Sequence, residues 1–165
     1  MAERLGLALN TSQGALTQYA GLEFTSFCVR NGVVIAARPT GICTLDDDAD
    51  TDGGTAISSL VESHLMDFGS HEQKRIRHLY LGCELGEDAQ LDVTVTGDDE
   101  SAAARTYTVE NRRGAQQQHT ERVPVGRDGK ARYWNVAIQN VGGGDFSIDA
   151  VDALLVVLGG KPSGG

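Results

Sequence analysis

Lysine is scarce in this chain: Lys74, Lys130 and Lys161 are the only three among 165 residues. Interfaces are depleted in lysine, so a surface this poor in it leaves room for protein contacts. Positive charge as a whole is outweighed, with a formal net charge of -9. Phosphate binding needs clustered Lys and Arg, so a general nucleic-acid binder is excluded, as is docking on an anionic membrane. Proline is also rare, at 3 residues against 21 glycines. That composition excludes collagen and proline-rich linkers, and it predicts many tight turns.

Cys28, Cys43 and Cys83 are an odd number without CxxC spacing. They form no disulfide framework and are expected as buried thiols in a reducing assembly compartment. No apolar run approaches the ~18 residues of a membrane span. The start, Met1-Ala2-Glu3-Arg4, has neither a basic nor an apolar signal region. No signal peptide is therefore expected, and synthesis in the cytoplasm is.

What is present is short-period β patterning. Leu91, Val93 and Val95 alternate with Asp92, Thr94 and Thr96, a half-buried strand. Leu79, Leu81 and Cys83 share one face, as do Trp134, Val136 and Ile138. Asn31-Gly32 joins two apolar runs and predicts a hairpin, because both residues accept positive φ. A third short strand over 42–45 would complete a small meander. Residues 1–22 are weakly patterned, and a short amphipathic helix or an arm ordered by a partner both fit. The stretch 56–68 fits helix or strand, with strand favoured by its neighbours. Pro124 suggests an edge strand. The run Ala153 to Leu158 is apolar on both faces, which suits a central strand or an intersubunit contact.

The pattern predicts an all-β protein, an antiparallel β-sandwich or jelly roll with an N-terminal extension. The expected organisation is an arm and meander over 1–54, a sandwich over 55–158 and a flexible tail over 159–165.

Chemistry is sparse. Asp48, Asp50, Asp52 and Gly53 supply the first half of a calcium loop, but its twelfth position is Ser59 instead of glutamate. The loop is a weak metal candidate and is expected to be solvated. His64, His71, His78 and His119 lack zinc spacing. Ser70-His71-Glu72 are adjacent, so their side chains diverge and cannot form a triad. Gly142-Gly143-Gly144 lacks the Lys-Ser/Thr of a phosphate loop. No catalytic residue, cofactor or enzymatic activity is expected.

Two clusters suit protein contacts instead. Lys74, Arg75 and Arg77 form a basic group that would pair with acidic loops, within a subunit or between subunits. Arg132, Tyr133 and Trp134 combine the residue types that anchor interfaces. Trp134 also suits a sandwich core, or stacking on a sugar ring.

Residues Leu65-Met66-Asp67-Phe68-Gly69-Ser70, leading through Lys74-Arg75 into Leu79-Tyr80-Leu81-Gly82, resemble a phrase of tailed-bacteriophage virion proteins. So do Val123-Pro124-Val125-Gly126-Arg127 with Gly129-Lys130-Ala131-Arg132-Tyr133-Trp134, and Gly144-Asp145-Phe146-Ser147-Ile148-Asp149 with Leu154 to Leu158. Upstream, Phe24 to Phe27, Asn31-Gly32 and Pro39 to Ile42 resemble a strand pair that precedes this region. The similarity spans roughly 24–158. It implies a structural component of the tail, baseplate or head–tail region, packed as a homo-oligomer with other virion proteins and located in the virion. A capsid decoration protein, or a carbohydrate-binding sandwich used in host attachment, is the alternative.

Overall fold

The computed structural model describes residues 5–12, 14–20, 24–46, 49, 51–127 and 129–159. It divides into two compact units, Met1–Ala49 and Asp50–Gly165. No α-helix occurs among the described residues, and none of their segments is a helix able to cross a membrane.

In Met1–Ala49, β1 (Leu5–Asn10) and β2 (Ala15–Ala20) form an antiparallel hairpin with Leu9 opposite Leu16. Among the described residues of 1–22, strands therefore take the place of the helix considered there. Leu5, Leu7 and Leu9 alternate with Gly6, Ala8 and Asn10, a period of two that the small residues obscure. Next, β3 (Ser26–Arg30), β4 (Val33–Arg38) and β5 (Gly41–Leu45) make the expected meander, in the order β3-β4-β5. Its first turn has φ 54° at Asn31 and 82° at Gly32, the left-handed pair that an Asn-Gly hairpin requires. The Arg38 guanidinium lies 5.0 Å from the centre of the Phe24 ring, which meets Phe27 edge-on at 4.9 Å. Among the described residues of this unit, Ala36 is the buried hydrophobic one.

The second unit opens with a two-residue hairpin, β6 (Thr51–Asp52) and β7 (Thr55–Ala56), turning at Gly53-Gly54. The hairpin runs across position 54. Seven further strands build a sandwich: β8 (Leu60–Glu62), β9 (Lys74–Leu85), β10 (Gln90–Gly97), β11 (Arg105–Glu110), β12 (His119–Pro124), β13 (Trp134–Val141) and β14 (Phe146–Val157). One layer has the order β11-β10-β13-β8, the other β12-β9-β14, and all pairings are antiparallel. A sandwich is the form observed, with one strand fewer in these layers than the eight of a jelly roll.

The core follows from the alternation. Ile76, Leu79, Leu81, Cys83 and Leu85 of β9 join Leu91, Val93 and Val95 of β10 and Trp134, Val136 and Ile138 of β13. Each aliphatic side chain buried this way contributes roughly 1.5–3 kcal/mol. Trp134 lies 3% exposed, so it is a core residue.

Two bulges interrupt the β9–β14 ladder. Ile76 pairs with Leu155 and His78 with Leu154, which leaves Arg77 as an extra residue. Cys83 pairs with Ile148 and Gly82 with Ala150, which leaves Asp149 extra on β14. The first bulge shifts the inward positions from Lys74 and Ile76 to Leu79 and Leu81.

Two positions are edges in the strand order. Pro124 lies on β12, an edge strand as expected, because its missing N–H cannot serve a second neighbour. The apolar run in β14 is also at an edge, so the central position considered for it is corrected. Its two apolar faces have different causes. Ala153 and Leu155 pack on the core, while Leu154 and Val156 face out and stay exposed.

Candidate interaction surface

The basic group at the start of β9 is taken apart by the strand's own geometry. Lys74 is completely buried, and its Nζ donates to the carbonyl oxygens of Ser70 at 2.6 Å and Arg132 at 2.5 Å. It ties two loops to the sandwich and is unavailable to a partner, which corrects its place among contact residues. Alternation gives the reason: Lys74 shares its face with Ile76. Arg75 points to the outer side opposite Val156, and its Nε is buried without a hydrogen-bond partner. Arg77 occupies the bulge. Among the described residues, none of Lys74, Arg75 and Arg77 makes an ion pair with an acidic loop of the same unit.

The aromatic group separates in the same way. Trp134 is buried, and its Nε1 has no hydrogen-bond partner, so it is withdrawn from the contact residues. Tyr133 and Arg132 stay at the surface. Their backbone N–H groups donate to Asp98 Oδ1 at 3.1 and 3.0 Å, which holds the turn that delivers Trp134 to the core.

Of the weak metal candidates, Asp48 and Asp50 lie outside the described residues, and Asp52 lies on β6. Among the described residues, no three His, Cys, Asp or Glu side chains converge as metal ligands. His71 meets Asp67 at 3.6 Å at the surface.

A polar group that sequence inspection missed sits inward on β12. The His119 Nδ1–H donates to the Gln117 carbonyl at 2.7 Å, and its Nε2 lies 3.2 Å from Glu121 Oε1. The signal was available, because His119, Glu121 and Val123 share one period-two face. Cys83 lies directly across from His119. Burial pushes its thiol up from the ordinary range, and the negative charges of Glu121 and Asp149 add to that shift. A nucleophilic cysteine needs the opposite shift, so this trio holds an inert thiol. Of the three thiols expected to be buried only Cys83 is, since Cys28 on β3 is exposed and Cys43 half-buried, so thiol labelling of the native protein should modify Cys28 readily and leave Cys83 untouched until unfolding. Native-state labelling of Cys83 as fast as Cys28, read by peptide mass spectrometry, would contradict this burial.

Two depressions mark the surface of the second unit. One, of about 310 Å³, is lined by Ala56–Ser58, Asp92 and Gln139–Gly143. Its one carboxylate, Asp92, already accepts a hydrogen bond from Thr108 Oγ1 at 2.8 Å. Asn140 fixes its wall, accepting from Ser59 N–H at 2.8 Å and donating to the Ile57 carbonyl at 2.9 Å. The other, of about 590 Å³, lies on the outer side of the β12-β9-β14 layer. Arg77, His78, Pro124, Gly126, Arg127 and Leu154–Val156 line it, with no acidic residue among them. The bulge places Arg77 at this cleft beside the exposed apolar side chains of β14.

Comparison with protein-family models, curated proteins and solved structures finds no match to this chain.

Proposed function

We propose that this protein is a structural β module that works by packing against copies of itself and partner proteins, as a component of a bacteriophage particle. The observation that carries the packing claim is the β3-β4-β5 sheet. Phe27 is 60% exposed and Val29 70% on one face, and Ile42 is 81% exposed on the other. A three-stranded sheet one layer thick cannot bury both of its faces by itself. Large apolar side chains left open in this number mark surfaces that another chain covers. The β14 edge adds Leu154, Val156 and Val157, and the short β8 adds Leu60 and Val61. The phage setting is supported by the resemblance over 24–158.

Size-exclusion chromatography with light scattering should return an oligomer of defined copy number. A strict monomer at all concentrations, absent from purified particles, would overturn the proposal. The carbohydrate-binding alternative loses its main motive, because Trp134 is buried and cannot stack on a sugar.

A further inference from the structure

The cleft beside Arg77 and the turn at the far end of the same strand are complementary. The strand β9 begins next to the cleft and ends in the turn Gly86–Ala89. Gly86 lies nine positions beyond Arg77, about 30 Å of extended chain. The cleft presents Arg77, Arg127 and His78 over a floor of Leu154 and Val156. The turn presents Glu87 and Asp88, both exposed, and the Asp145 carbonyl accepts the Gly86 N–H at 3.0 Å beside them. Among the described residues, Arg77 and Arg127 make no ion pair, and neither do Glu87, Asp88 and Asp145. Arg112 and Arg113, in the neighbouring turn, leave those carboxylates unpaired.

We infer that the cleft receives the Glu87-Asp88 turn of a second copy of this chain, so that sandwiches join head to tail along β9. The inference rests on the self-packing proposed above and names its surface. The two patches lie at opposite ends of β9, so a single copy cannot satisfy itself. A contact between two different patches is heterologous, and its repetition closes a ring or extends a stack. The arginines meet carboxylates at the rim, where charge sets register and encounter rate. The apolar floor excludes water beneath them. One such contact is small, so association should depend on concentration and weaken as salt screens the charges.

Sedimentation velocity of the full chain tests this at about 0.05 M and about 0.5 M salt, where screening lengths differ severalfold. Wild type should associate, more strongly at low salt. R77E/R127E and E87K/D88K should each weaken association by at least about tenfold in Kd at low salt. Mixing the two variants should restore a complex, since each then offers a patch of sign opposite to the other's. The substituted side chains lie at the surface or on the cleft wall, and circular dichroism verifies that both variants fold. Oligomers unchanged in both variants would overturn the contact and leave self-packing standing. Loss in the cleft variant alone would overturn the turn as occupant. A wild type that stays monomeric would overturn the contact together with self-packing.

Discussion

Lys74→Ala should destabilise the second unit by about 3–5 kcal/mol in urea denaturation. Among the described residues, Lys74 is the largest side chain to be buried completely, and no carboxylate pairs with it. Its stem lies on the inward face it shares with Ile76, and its Nζ donates to the carbonyl oxygens of Ser70 and Arg132. Its backbone is fixed independently, through N–H to the Ala131 carbonyl at 2.8 Å and the reverse bond at 3.1 Å. Alanine would leave a cavity and strand two acceptors at once. Lys74→Met separates the two effects. It keeps most of the stem and strands only the acceptors, so its loss should be smaller, about 1–3 kcal/mol. A Lys74→Ala protein within about 0.5 kcal/mol of wild type would show that these loops need no such tether.

Gly97→Ala should cost about 2–3 kcal/mol by the same measurement, a large effect for one methyl group. A β-carbon at Gly97 would lie 2.5 Å from Ala102 Cβ, 2.6 Å from Ala131 Cβ and 3.4 Å from Trp134 Cζ3. Both alanine methyls are attached directly to backbone and cannot rotate away. Gly82→Ala is the control. Its new methyl would fall on the Asp149 carboxylate, an exposed group on the bulge that can swing aside. The Gly97 substitution should therefore cost clearly more than the Gly82 one. Equal losses would mean that the Ala102 and Ala131 segments yield easily and that Trp134 is not held by close packing.

Both sites show how much could be read along the chain. The strand 90–97 was legible because its face changes character at every residue. The Asn31-Gly32 hairpin was legible because one dipeptide meets a special backbone demand. The candidate contact residues were legible only as types. Lys74 and Arg77 look alike in sequence, yet one is an internal tether and the other lines a cleft. Three positions put them on opposite faces of β9, and which face is inward is decided by pairing with β14 some 80 residues later. His119 and Glu121 escape a reading that weighs residues singly, because polar residues do not announce an inward face. Trp134 could serve core or surface by chemistry, and the Asp98 bonds that turn it inward come from another strand end.

The sequence by itself determined an all-β protein with antiparallel sandwich character, its Asn31-Gly32 hairpin and most of its core. Those properties depend on neighbours two residues apart, and alternation records them directly. Only the tertiary structure decided which strands are edges, which basic residues turn inward and where a cleft forms. A period of two separates the faces of a strand but says nothing about which strand lies beside it. Edge or centre, tether or contact residue, is settled by partners distant in the chain.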